Sequence, residues 1–125
     1  MKQTLLMLML AISAVIVTTY TSSAQLINVT IAGRNLGVIT SKELMADSML
    51  SVREPGIEVI SFQMNHFGPY WDAVQINGYN NKITAEMRKE LKHLHHDDLL
   101  FFINIKAKNA NGDTLWADPI KFKIK

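Results

Sequence analysis

The sequence has 125 residues, no cysteine, and 13 basic against 11 acidic residues, which gives a formal net charge of +2 at pH 7. A chain of this length forms one domain around one core. So small a net charge lacks the concentrated basic surface that nucleic acid requires, and without cysteine the fold cannot depend on disulfides. The composition therefore predicts a globular protein stabilised by its hydrophobic core, without a nucleic-acid partner.

Residues 1–24 are typical of a secretory signal peptide. Lys2 precedes an apolar block from Leu5 to Val17, and small residues follow at Ser22 and Ala24. The block is shorter than the roughly 20 apolar residues that span a bilayer. We therefore expect cleavage near Ala24. The product would be a single exported domain, residues 25–125, which has no transmembrane segment and is located in the periplasm or outside the cell. With no cysteine at the cut site, lipid attachment is excluded.

Alternation with a period of two dominates the exported part, as in half-buried strands. Residues 26–32 are apolar at every second position, a turn follows at 33–35, and a short strand at 36–40. Residues 42–50 have no clear period. After the turn signal at 55–56, residues 57–66 are apolar on both faces, with Ile60, Phe62 and Met64 sharing one of them. A strand of this kind is central in a sheet or covered by another layer.

The period changes between Thr84 and about Leu94, which indicates a helix. Met87, Leu91 and Leu94 follow one another at spacings of four and three, and charged residues fill the opposite face. Thr84 is suited to cap the helix N-terminus. This segment is the single amphipathic helix that the sequence predicts.

Alternation returns after the helix and continues to the end of the sequence. Residues 99–108 form a strand predicted to face the core with Phe101, Ile103, Ile105 and Ala107. Asn111–Gly112 predicts a hairpin, and Pro119 an edge or a bulge. The final strand, with lysines on its exposed face, is expected at an edge of the sheet. The whole pattern predicts about six short antiparallel strands and one helix.

Several segments together resemble a known family. They are the loop at 80–82, the helix launched by Thr84, FFINIKAK at 101–108, the NANGD turn and the closing strand at 119–124; LGVI at 36–39 and VISFQM at 59–64 add to them. These segments resemble the C-terminal periplasmic domain of the GldM gliding-motility family, over roughly residues 36–125. The Ala24–Gln25 cut site is compatible with an exported protein of the Bacteroidota type.

The resemblance implies a mainly β fold, an immunoglobulin-like antiparallel β-sandwich with one amphipathic α-helix. It also implies a protein-interaction or structural role in the bacterial envelope, where the family serves type IX secretion and gliding. Partners would be envelope proteins, including components of that apparatus. We expect a short, stand-alone exported relative that keeps the fold and a docking surface.

An aromatic turn after the central strand is the candidate binding site. Phe67, Tyr70 and Trp71 offer rigid contact area to a protein partner. A competing interpretation folds Phe67 and Trp71 inward over the core. A small-ligand module is the alternative function, with Tyr70 and Trp71 binding a sugar.

A polar cluster of three histidines and two aspartates ends the predicted helix. At helical spacing, His93 and Asp97 share one face, which makes them weak candidates for a metal site. The simpler interpretation is a histidine-rich helix C-terminus stabilised by the helix dipole. We therefore predict neither a metal nor any other cofactor.

No arrangement in the sequence indicates catalysis. A nucleophile needs serine, threonine or cysteine beside an oriented base, and the serines stand in no recognisable motif. Gly33 and Gly37 lack the companions of a phosphate-binding loop. The sequence therefore predicts a protein that is not an enzyme.

Overall fold

The computed structural model describes residues 26–47, 49–69 and 73–125. The predicted signal peptide, residues 1–24, lies outside the described residues, and so do Tyr70 and Trp71. In the described part the chain is mainly β, with two sheets and two helices. None of the helices described there is long and apolar enough to cross a membrane.

Eight strands and two helices follow one another along the described residues. In chain order they are β1 (Val29–Thr30), β2 (Leu36–Ile39), α1 (Ser41–Ala46), β3 (Ser51–Val52), β4 (Glu58–Phe67), β5 (Ala73–Tyr79), α2 (Ala85–Leu91), β6 (Leu99–Lys108), β7 (Thr114–Trp116) and β8 (Ile120–Ile124). Helix α1 lies in the segment without a clear period. The sequence predicted only the helix that begins after Thr84, so α1 is a second helix that was not predicted.

The main sheet has six strands in the order β2-β8-β6-β4-β5, and β7 pairs with β6. Strands β1 and β3 form a separate antiparallel pair. Pro119 lies outside the strands, between β7 and β8, which both pair with β6. The two sheets confirm the mainly β prediction and fit a β-sandwich.

One pairing departs from the predicted antiparallel arrangement. β2 runs parallel to β8, with Val38 opposite Lys123, and the backbone N–H of Lys125 donates to the carbonyl of Ile39 at 2.9 Å. β8 therefore lies between β2 and β6, and its predicted place at a sheet edge was wrong. The pairing joins segments from opposite ends of the described chain, which local turn signals cannot reveal.

Strand β4 does not alternate regularly. Val59 and Phe62 are both buried, whereas Ile60 between them is 39% exposed. The register between β4 and β6 shifts on either side of Ser61, and these irregularities change which side chains face the core. The prediction that Ile60 shares the face of Phe62 was therefore wrong.

Strand β6 changes phase at the matching position. Leu100 and Phe102 are fully buried before the change, and Ile105 and Ala107 after it. Asn104, where the phase changes, has a φ of 50°. Phe101 and Ile103, predicted for the core, instead lie half-buried on the opposite face.

Helix α2 packs its apolar side on the inner face of the main sheet. Thr84 caps it as predicted, because its hydroxyl oxygen accepts from the backbone N–H of Met87 at 3.2 Å. Met87 and Leu91 are fully buried, and they join the inward residues of β4, β6 and β8 in one core. The helix ends at Leu91, one turn earlier than predicted.

We expect Gly78→Ala to lower the free energy of unfolding by about 1–3 kcal/mol, the usual range for overpacking. A Cβ at this position would lie 2.5 Å from the ring of Phe62 and 2.9 Å from Met87 Cε. Gly68→Ala is the matched control, because a Cβ there meets nothing within 4 Å. Urea unfolding of both variants measures the difference. Equal stability in the two would contradict the packing argument.

Candidate functional site

His66, the last residue but one of β4, faces the protein interior between two carboxylates. Its Nδ1 lies 2.7 Å from Glu90 Oε1 on α2, and its Nε2 lies 2.7 Å from Asp98 Oδ2 just before β6. The His66 side chain is only 10% exposed. We call His66, Glu90 and Asp98 the histidine clamp, because their bonds join three elements.

Asp98 is the most buried member of the clamp, with a side chain only 1% exposed. Its Oδ2 also accepts from the backbone N–H of His95 at 2.9 Å. The Asp98 carbonyl accepts from the N–H of Ile124 at 2.9 Å, so the end of β8 is attached to the same residue. Asp98 Oδ1 is buried and has no hydrogen-bond partner among the described residues.

The clamp stabilises the charged forms of His66 and Asp98. Burial opposes protonation of His66, but its bonds to Glu90 and Asp98, together with their charges, outweigh burial and raise the pKa of His66. Burial likewise opposes ionisation of Asp98, but the N–H of His95 and the imidazole of His66 outweigh it and lower the pKa of Asp98. The geometry thus favours an imidazolium between carboxylates.

The clamp connects three elements of the fold through a single imidazole ring. Both ring nitrogens of His66 are engaged by carboxylates, so neither is free to accept a proton from a substrate or to bind a metal. A cavity of about 370 Å³ adjoins the clamp, and among the described residues its walls contain no serine, threonine or cysteine. What the arrangement can do is hold β4, α2 and β6 in one geometry.

The two candidate metal ligands, His93 and Asp97, have different partners in the structure. The helix ends before His93, so the helical spacing that would align it with Asp97 is absent. His93 Nδ1 lies 2.7 Å from the carbonyl oxygen of Lys89, whereas Asp97 carboxylate oxygens lie 3.4 Å from Lys123 Nζ and 3.4 Å from His96 Nε2. Within residues 26–47, 49–69 and 73–125, no group of three or more His, Cys, Asp or Glu side chains has positions that could hold a metal ion.

Phe67, the candidate binding residue that the structure describes, lies on the outer face of the main sheet. It packs edge-to-face against Phe101, with ring centroids 5.5 Å apart. Cross-strand partners place Phe67 beside Leu99, Leu99 beside Lys123, and Lys123 beside Val38, in one row across four strands. We call Val38, Phe67, Leu99 and Phe101 the outer patch.

A shallow cavity of about 380 Å³ lies over part of the outer patch, lined by Phe67, Leu99 and Phe101 together with Gly68, Pro69 and Asp97. Val38 is 52% exposed and Leu99 is 41% exposed. Phe67 therefore does not fold inward over the core as the competing interpretation expected, and Trp71, the other residue of that interpretation, lies outside the described residues.

The clamp and the outer patch are two sides of the same backbone. Successive side chains of a strand point to opposite faces. His66 and Asp98 bond inside, and the residues that follow them, Phe67 and Leu99, pair outside. The clamp therefore holds the ends of β4 and β6 in the register that places Phe67 beside Leu99 in the outer patch.

Sequence reasoning singled out one of the three clamp residues, Asp98, and did not connect it with the other two. It singled out the His-Asp cluster, but the partner of Asp98 is His66, 32 residues earlier. A signal for His66 was present, because it continues the buried series of Phe62 and Met64 in β4. A polar residue at a buried strand position requires a hydrogen-bond partner.

Comparison with known proteins adds no relative. The sequence matches no protein-family model and no curated protein.

We expect Asp98→Asn to lower the free energy of unfolding by about 3 kcal/mol, because it removes the more buried of the two carboxylate charges that compensate the imidazolium of His66. Asp97→Asn is the matched control, since the Asp97 side chain is 60% exposed and surface changes alter stability by about 0.5 kcal/mol or less. Urea unfolding at pH 6 compares the two variants. A similar small loss in both would show that the clamp contributes little.

We expect the stability that wild type gains over His66→Phe to depend on pH. A raised histidine pKa gives a contribution that is complete below the ordinary value of 6.5 and is lost as pH rises through the folded value. The lowered pKa of Asp98 adds a contribution that is lost in acid, below its ordinary value of 3.8. The gain is therefore largest between these two values. Urea unfolding from pH 4 to 9 measures it, and His96→Phe, at an exposed site, is the control. A gain that does not change with pH would refute the charged clamp.

Proposed function

We propose that the protein is a non-catalytic interaction module of the bacterial envelope, exported through its N-terminal signal peptide. The single observation that carries the proposal is the outer patch on the main sheet. Its four members lie on one face and are held in register from inside by the histidine clamp. A rigid, exposed apolar surface of this kind needs little ordering on binding.

The chemistry of the outer patch favours a protein partner. Single exposed apolar residues are common on protein surfaces, but contiguous ones mark sites of interaction. The outer patch combines two aromatic rings with two aliphatic side chains, the mixture that forms the centre of protein interfaces. Its members come from three strands, β2, β4 and β6, and with β8 between β2 and β6 the surface extends across four strands of the sheet.

The charges around the outer patch indicate the character of the partner. Lys123 lies within the row, between Val38 and Leu99, and Lys121 lies opposite Phe101. Lys123 is partly neutralised by Asp97 at 3.4 Å. We propose a partner surface with an apolar centre and an acidic rim facing these lysines.

The resemblance to the GldM C-terminal domain supports a partner in the type IX secretion and gliding apparatus. It also supports an immunoglobulin-like topology for the sandwich. Phe67, Tyr70 and Trp71 remain the proposed binding turn, and Phe67 joins that turn to the outer patch. The edge strands β2 and β5 offer a second mode, because a partner strand can add to an open edge.

We expect Leu99→Gln to reduce the amount of partner recovered from cell envelopes about tenfold or more, because substitutions at the centre of an interface weaken binding most. The measurement is affinity purification of a tagged protein from cross-linked native envelopes, with partners quantified by mass spectrometry. Leu26→Gln is the matched control, since Leu26 is 57% exposed and lies outside the outer patch.

The outcomes separate the parts of the proposal. Loss of type IX secretion or gliding components from Leu99→Gln, with recovery kept in Leu26→Gln, supports the family role and the outer patch together. Loss of other envelope proteins supports the outer patch and rejects the family role. Equal recovery in both variants rejects the outer patch as the docking surface.

A further inference from the structure

Two aromatic side chains stand exposed at the other end of the outer face. Tyr79, at the end of β5, is 71% exposed, and Trp116, at the end of β7, is 50% exposed. Burying rings of this size stabilises a folded protein. Leaving both in water is a cost that a binding function accounts for.

The sheet register places the two rings on the same face. Tyr79 pairs with Ser61, Ser61 with Lys106, and Lys106 with Trp116. Cross-strand partners project to one side, so all four side chains form a single row. With strands about 4.8 Å apart, the Cα atoms of Tyr79 and Trp116 are roughly 14 Å apart. Ser61, the smallest residue of the row, leaves a depression between the rings.

A groove of about 430 Å³ occupies this depression, and its walls include both aromatic rings and three amides. Gln63 and Asn77 pair across β4 and β5 in the next row. Asn104, at the phase change in β6, donates to Gln63 Oε1 at 3.0 Å. This bond fixes the Gln63 amide and leaves its NH₂ group for an acceptor in the groove. The phase change in β6 is therefore what brings a third amide to this face.

The lining combines apolar ring faces with groups that both donate and accept hydrogen bonds. An aromatic face is negatively polarised and attracts the C–H groups on one side of a pyranose ring. Sugar hydroxyls both donate and accept, and so do amide side chains. The residues that line the groove carry no charge, and Lys106 is in the row but not in the lining. This chemistry does not suit a phosphate or a nucleic acid.

We infer that the groove between Tyr79 and Trp116 is a binding site for a neutral oligosaccharide. The two rings stack on sugar units at either end, and Gln63, Asn77 and Asn104 bond the hydroxyls between them. Along β4, Ser61 is roughly 20 Å from Phe67, so this site is separate from the outer patch. The inference does not depend on the proposed function, since a different surface carries each.

The test is a screen of the purified protein, expressed from the full chain in an export-competent host, against an array of glycans. The array holds neutral di- to tetrasaccharides of glucose, galactose, mannose and N-acetylglucosamine, with acidic glycans beside them. The strongest neutral ligand is then titrated by calorimetry. We expect Tyr79→Ala and Trp116→Ala each to weaken its binding about tenfold or more, and Asn77→Ala to weaken it by a smaller factor.

Leu99→Gln is the control that separates the two surfaces, because it alters the outer patch and leaves the groove intact. It should bind the oligosaccharide like wild type. Thermal melting of each variant shows whether it is folded, and Asn77→Ala, a change to an exposed amide, keeps the test decisive if an aromatic variant unfolds. Binding to no neutral glycan at millimolar concentration, or binding that all variants retain, overturns the inference. Selective binding of acidic glycans that Lys106→Gln abolishes also overturns it.

Discussion

A buried imidazole bonded on both nitrogens to carboxylates sets the geometry of the main sheet at one end. His66 joins the end of β4 to α2 through Glu90 and to the start of β6 through Asp98. Burying ionised groups is costly, so such a cluster persists when every bond is well made, and it selects one arrangement more than it adds stability. Since Asp98 also receives a backbone bond from Ile124, β8 is aligned by the same residue.

The matched irregularities of β4 and β6 have an equivalent role in the middle of the sheet. Both strands change phase together, so Val59 and Ala107, which are cross-strand partners, face the core as Phe62 and Phe102 do further along. The outer face gains from the same event, because Asn104 is turned outward. The paired phase changes of β4 and β6 thus keep apolar side chains on the core side of the sheet. On the outer side they leave polar side chains near Tyr79 and apolar ones near Phe67.

Features encoded by neighbouring residues were predictable from the sequence. The helix beginning at Thr84 was correct because a cap and an apolar spacing are local signals. The side-chain directions at Ile60 and Phe101 were not predictable, because the phase changes arise from pairing between distant strands. The bond from His66 to Asp98 and the parallel contact of β2 with β8 join residues far apart in the chain, and periodicity carries no information about such partners.

The neighbours of β8 have a consequence for the order in which the protein can assemble. β8 is the last of the described strands in sequence order, yet it pairs with β2, one of the first, as well as with β6. Until residues 120–124 have left the ribosome, β2 has no strand to pair with in the main sheet and one side of β6 at Leu99–Phe102 is open. Completion of the sheet therefore requires residues 120–124, and contacts so distant in sequence form slowly.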